Sequence, residues 1–223
     1  MMQAPSTPAA KVRMLALGDS YTIGEGVAVD DRWPVRLAAM LRAAGVPVSA
    51  PVIIATTGWT TDELSAGIDA AKPTGPFGLV TLLIGVNNQY RGRSTEEYRT
   101  QFHALLARAI AFAESRASRV VVVSIPDWGV TPFAKRSGRD LAKITTDINA
   151  FNAIGHDEAT RAGARFVDVT PMSRRAATES DLVAGDGLHP SASMYAEWAR
   201  LALPVAVDAI GAWARRAVVL GGP

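Results

Sequence analysis

A serine, an aspartate and a histidine stand in this chain among neighbours that make them a candidate catalytic set. Gly18-Asp19-Ser20 closes the first apolar run, Val12-Arg13-Met14-Leu15-Ala16-Leu17, and Asp186-Gly187-Leu188-His189-Pro190 sets a carboxylate and an imidazole three residues apart. A serine hydroxyl is a poor nucleophile at neutral pH until a base within hydrogen-bond reach takes its proton. An imidazole does this well only when an acceptor holds its other nitrogen. Ser20, His189 and Asp186 therefore supply the parts of a nucleophile, its base and the base's orienter.

Competing chemistries find little support. The chain has no cysteine, which removes thiolate nucleophiles, disulfides and thiolate metal sites. His103 and His156 sit in helical patterns and read as surface or packing residues, and no His, Asp and Glu cluster has metal-ligand spacing, so no metal is expected. Gly18 to Gly26 is glycine-rich, yet no Gly-Lys-Ser/Thr follows and the dinucleotide spacing is absent. Twenty-three Lys and Arg against 21 Asp and Glu leave a net charge of +2, which speaks against a nucleic-acid partner. With 48% hydrophobic and 20% charged residues the composition is that of a globular protein. Met1 to Ala10 lacks the cationic start of a leader, and no apolar run approaches the roughly 18–20 residues of a membrane span. The expectation is a cytoplasmic protein.

These residues need elements to bring them together. Apolar runs at Val12 to Leu17, Val48 to Ala55, Leu79 to Ile84, Arg119 to Ile125 and Arg165 to Val169 read as strands buried on both faces. Between them, Arg32 to Ala44, Thr61 to Ala71, Ser94 to Ala117 and Asp140 to Ala162 carry helical periodicity, several opened by capping residues. Pro126 to Gly138 reads as a long loop, and the last helix, from Ser191, is expected to bend or break near Pro204. The alternation predicts an α/β domain over 11–220 with a parallel sheet, preceded by an extended or disordered segment over 1–10. In such a sheet the ligand crevice lies beyond the carboxyl ends of the strands. Ser20, Thr56-Thr57-Gly58-Trp59, Gly85-Val86-Asn87-Asn88 and Asp127-Trp128 all follow strands, and the Asp186 to His189 loop can reach the same edge.

Four separated segments match the blocks of the SGNH hydrolases, the GDSL-type esterases and lipases. The chain resembles that family over nearly its whole length, through Gly18-Asp19-Ser20-Tyr21, Gly58, Gly85-Val86-Asn87 and Asp186-Gly187-Leu188-His189-Pro190. The resemblance implies a three-layer α/β/α sandwich with a five-stranded parallel sheet of flavodoxin-like topology. It implies Ser20 as nucleophile, Asp186 and His189 as the other triad members, and the Ser20 amide, the Gly58 amide and the Asn87 side chain as oxyanion-hole donors. The expected reaction is hydrolysis of small-molecule carboxylic esters with short to medium acyl chains through an acyl-enzyme, without a cofactor. Where the family usually reads Gly-x-Asn-Asp, this chain has Asn87-Asn88, which should change local loop structure more than chemistry. The second glycine of an α/β-hydrolase nucleophile elbow is absent.

Candidate substrate contacts are Asp19, Trp59, Asn88, Tyr90, Asp127, Trp128 and Leu188, with Phe133 close by. Asp19 also has a structural reading, bonding loop amides to hold the serine, and the aromatic residues read equally well as ordinary packing. Arg91 and Arg93 read as solvated loop cations, with anion binding the alternative. Three other functions share the scaffold: a carbohydrate or small-molecule O-deacetylase, an acyltransferase, and a noncatalytic binding module.

Overall fold

Five apolar segments pair side by side into a parallel sheet: β1 (Met14–Gly18), β2 (Val52–Ala55), β3 (Leu79–Leu83), β4 (Val120–Val123) and β5 (Arg165–Val167). The order is β2-β1-β3-β4-β5, the flavodoxin-like arrangement that the resemblance implies. These are the features of a computed structural model that describes residues 11–220, with side chains through residue 211. The segment expected to be extended or disordered over 1–10 lies outside the described residues. At the centre of the sheet Leu17 of β1 is in register with Ile54 of β2 and Leu82 of β3. Every residue of β1, β3 and β4 is buried, as strands covered on both faces must be, whereas the edge strands β2 and β5 are only partly buried and do not meet that expectation.

The helices are α1 (Ser20–Ile23), α2 (Trp33–Ala43), α3 (Thr61–Ala71), α4 (Val86–Tyr90), α5 (Thr95–Phe112), α6 (Pro132–Arg136), α7 (Leu141–Ala162), α8 (Thr170–Ser173) and α9 (Ala192–Leu220). The chain steps from β1 outward to β2, then back past β1 to β3. Because such crossovers are right-handed, this reversal switches the face that the connecting helix covers. Accordingly α2 packs with α9, whereas α3, α5 and α7 pack in sequence with one another. The apolar faces of these helices enclose the sheet: Trp33, Leu37 and Leu41 of α2, Leu64 and Ile68 of α3, Phe102 and Leu105 of α5, and Ile148 of α7 are all fully buried. Each such side chain contributes on the order of 2 kcal/mol relative to exposure.

Local chemistry sets several boundaries. The helix expected over Thr61 to Ala71 forms with those limits, because Thr60 and Glu63 make a reciprocal capping box in which the Thr60 amide donates to Glu63 Oε2 at 2.8 Å. Ser94 caps α5 by accepting from the Glu97 amide at 3.1 Å, but the helix stops at Phe112, short of Ala117. Beyond its C-cap, Glu114 and Ser115 adopt φ of 56° and 58°, which no α-helix accommodates. Two expectations need correction. The segment 126–138 is not one loop, since it holds a 3-10 turn over Trp128–Val130 and then α6, capped by Thr131. Nor does the last helix break at Pro204, which lies within α9. The proline is exposed, so water can reach the carbonyl left without its helical donor, while α9 stays packed against α2, β4 and β5. Among the described residues no helix is long and apolar enough to cross a membrane.

Candidate active site

The carboxyl end of β1 delivers Ser20 to the sheet edge next to β3, where the winding direction reverses and a crevice must open. Gly18 permits the close approach of these two strands: a Cβ there would lie 2.5 Å from the Leu83 carbonyl oxygen and 2.2 Å from Thr22 Oγ1. Asp19 then turns the chain. Its carboxylate accepts from the Tyr21 amide at 3.0 Å and caps α1, which places Ser20 in the first turn of that short helix. Burial pushes the Asp19 carboxyl up to about 7 against the opposing effect of the amide bonds, and its second oxygen has no partner among the described residues.

His189 arrives from the loop before α9. That loop is fixed by its backbone: the Gly187 amide donates to Ala184 at 2.9 Å, the Ala184 amide to His189 at 2.7 Å, and the Phe133 amide to the Gly187 carbonyl at 2.8 Å. Asp186 Oδ2 lies 2.6 Å from His189 Nδ1, while its Oδ1 accepts from the amides of Leu188 at 2.8 Å and His189 at 3.0 Å. Burial raises the Asp186 carboxyl pKa, but the bonds from His189 and the two amides outweigh it and hold the group below the usual carboxylate range. Asp186 thus remains an acceptor at neutral pH. The Tyr21 ring packs edge-on against the imidazole, with centroids 5.7 Å apart. An imidazole held at Nδ1 by a carboxylate keeps Nε2 for proton transfer. Ser20 and His189 line the same cavity without a direct hydrogen bond between them among the described residues.

Gly58 and Asn87 face that cavity from the ends of β2 and β3. Gly58 has φ +88°, a conformation that side chains resist, and a Cβ there would find no atom nearer than Arg91 Nη2 at 4.0 Å. Two successive carbonyls of this loop are tied to the neighbourhood of α4. Arg91 Nη2 donates to Gly58 O at 2.7 Å, and Asn87 Nδ2 donates to Trp59 O at 2.9 Å. Arg91 also reaches Glu63 Oε1 at 3.1 Å, so it connects the Gly58 loop to the first turn of α3. It is not a free cation, since it bonds a carbonyl and a carboxylate; this role went unread in the sequence, where nothing identifies a carbonyl as the partner of an arginine. One N–H of Asn87 is committed to Trp59, and the amide's other N–H is available to a ligand.

The cavity holds about 210 Å³ and its wall includes Ser20, Gly58, Asn87, Tyr90, Trp128 and His189. Leu188 and Phe133 are in the wall, as are Tyr21, Thr57 and Val86, which the sequence did not single out as contacts. Four suggested contacts lie elsewhere. Asp19 is spent as a cap, and Trp59 lies across Gly67 of α3, where a Cβ would come within 2.2 Å of the indole. Asn88 turns inward, accepting from the Thr61 amide at 3.1 Å and donating to Thr61 Oγ1 at 2.7 Å, while that hydroxyl donates to Gln101. Asp127 is buried with both oxygens occupied, by the Gly129 amide at 3.0 Å, Thr145 Oγ1 at 2.9 Å and Arg174 Nε at 3.0 Å. Among the described residues no group of three or more His, Asp or Glu side chains could hold a metal ion.

Residues 16–197 match the model of a family described as the GDSL-like lipase/acylhydrolase family. No curated protein matches the chain. The fold resembles that of a lipase/acylhydrolase from Enterococcus faecalis, at 17% identity over 88% of this chain and 95% of that one, with a TM-score of 0.67. It also resembles a psychrotrophic esterase from Pseudoalteromonas sp., at 19% identity over 91% and 98% of the two chains and a TM-score of 0.64. An acetylxylan esterase from Geobacillus stearothermophilus aligns at 16% identity over 91% and 96%, also with a TM-score of 0.64.

Proposed function

Because the chain belongs to the GDSL-like lipase/acylhydrolase family, we propose that it hydrolyses carboxylic esters of short to medium acyl chains through an acyl-enzyme on Ser20. The observation that carries this reading is the Asp186–His189 pair, bonded at 2.6 Å, with its imidazole in the wall of the cavity that also holds Ser20. In the first half-reaction Ser20 Oγ attacks the ester carbonyl carbon while His189 Nε2 takes the hydroxyl proton. The tetrahedral intermediate collapses, the alkoxide leaves with that proton, and the acyl group stays on Ser20. Water then attacks the acyl-enzyme with His189 as base, and the acid departs as Ser20 recovers its proton.

Charge gathers on the carbonyl oxygen in both intermediates. The amides of Ser20 and Gly58 and the uncommitted N–H of Asn87 are the donors for it, and each such donor in a water-poor site lowers the barrier by about 3 kcal/mol. Asp186 keeps the imidazole in the productive tautomer and stabilises its cationic form. The decisive assay compares wild type with Ser20→Ala on 4-nitrophenyl acetate: turnover should fall by a factor on the order of 10³ or more, and equal rates would end the esterase reading.

Deacetylation of a carbohydrate or another polar small molecule uses the same steps. What supports it is the fold shared with an acetylxylan esterase. Acetylated xylose oligomers assayed beside simple alkyl acetates decide between the two.

A further inference from the structure

Tyr90 ends α4 and is shared by two neighbouring cavities. On one side is the 210 Å³ cavity with Ser20 and His189; on the other is a cavity of about 540 Å³ whose wall mixes Ile144 and Phe151 with Arg139, Lys143 and Asp147, and Tyr90 is in the wall of both. The tyrosine is 39% exposed, so burial does not hold its ring in place. Arg139 does: its guanidinium carbon lies 4.0 Å from the ring centroid and its Nη1 donates to the Tyr90 carbonyl at 2.9 Å. Behind the ring, Trp128 packs at 5.4 Å between centroids and is itself fixed by an indole N–H bond to Gln89 Oε1 at 2.9 Å.

We propose that Tyr90, clamped by Arg139, is the wall that restricts the site to short acyl groups. This rests on the esterase reading of Ser20. A chain long enough to outgrow the small cavity meets the ring first. Beyond it the larger cavity, with Ile144 and Phe151 in its wall, offers room that the ring closes off.

The test is the rate of hydrolysis of 4-nitrophenyl acetate, butyrate, hexanoate and octanoate by wild type, Tyr90→Ala, Tyr90→Phe and Arg139→Gln. In wild type kcat/KM should drop by about tenfold between butyrate and hexanoate. Tyr90→Ala should erase that drop, Tyr90→Phe should keep it, and Arg139→Gln, an exposed change that does not threaten folding, should soften it. An unshifted profile in both Tyr90→Ala and Arg139→Gln overturns the wall, as does equal use of acetate and octanoate by wild type. If acetate turnover still depends on Ser20 in those cases, the wall alone falls. If no ester in the series is turned over, the esterase reading falls and takes the wall with it.

Discussion

Asp186 grips His189 at two points: its Oδ2 lies 2.6 Å from the ring Nδ1, and its Oδ1 accepts from the backbone amide of the same histidine at 3.0 Å. One carboxylate therefore fixes both the ring and the turn that carries it. The Leu188 amide, at 2.8 Å from the same Oδ1, tightens the turn further.

Asp186→Asn should consequently lower kcat by a factor on the order of 10³ with little change in KM, since the amide can present an N–H where Nδ1 needs an acceptor and stabilises the wrong tautomer. Steady-state kinetics on 4-nitrophenyl acetate measure this. A loss confined to KM would show that Asp186 shapes binding and not the base.

Arg91 offers a second test. Glycine tolerates both signs of φ, so the +88° at Gly58 needs an outside restraint, and Arg91 supplies one by holding the Gly58 carbonyl. Arg91→Ala should reduce kcat by about tenfold with KM nearly unchanged, less than the loss of an oxyanion donor itself. Arg91→Lys, which can still reach the carbonyl but not bridge to Glu63 in the same way, should recover part of it. Full activity in Arg91→Ala would mean that the loop holds its shape unaided.

The environment of Asn88 accounts for an amide at this position. The Thr61 hydroxyl donates to Gln101, so it needs a donor at its oxygen, and Asn88 Nδ2 provides one at 2.7 Å. Asn88→Ala should destabilise the fold by about 1–3 kcal/mol through the unpaired buried groups at Thr61. Denaturant unfolding reports the loss, while kcat in native conditions should stay within about twofold of wild type, as expected of a side chain outside the site.

The pH dependence of stability should carry a signature of Asp19. Burial raises its carboxyl to about 7 in the folded chain, against an ordinary value of 3.8. A raised carboxyl favours the protonated fold, so its contribution is complete below pH 3.8 and is lost as pH climbs through about 7. A shift of this size corresponds to roughly 4 kcal/mol across the window. Asp19→Asn keeps an acceptor for the Tyr21 amide and should remove this component, so that unfolding free energies at pH 5 and pH 8 draw closer together than in wild type. Parallel curves for the two proteins would show that Asp19 is ionised throughout.

Much of the scaffold was legible in the sequence because its signals are local. Continuous Val, Leu and Ile runs mark strands covered on both faces, and the Thr60 to Glu63 capping pattern marks the start of α3 without any tertiary information. The α6 turn was missed because five residues carry no periodicity, and the Glu114–Ser115 reversal because neither residue type announces a left-handed backbone. Within the site, the residues named by motif do gather at one sheet edge. The polar residues chosen for position alone fared worse. Asn88 and Asp127 follow strands as site residues do, yet each turns into the scaffold, because the partner that claims a polar side chain is set by distant segments such as Thr61 and Arg174; Asp19, whose partner is the local Tyr21 amide, bears out its structural reading. Arg91 reads as a solvated loop cation because its partner too is distant, a backbone carbonyl 33 residues away.

The central claim is that Ser20 carries the acyl group, and the intact mass of the protein after reaction with a small alkyl fluorophosphonate tests it most directly. One adduct should form on wild type, map to the peptide containing Ser20, abolish ester hydrolysis and be absent from Ser20→Ala. An unmodified wild type that still hydrolyses esters, or an equal adduct on Ser20→Ala, would contradict it.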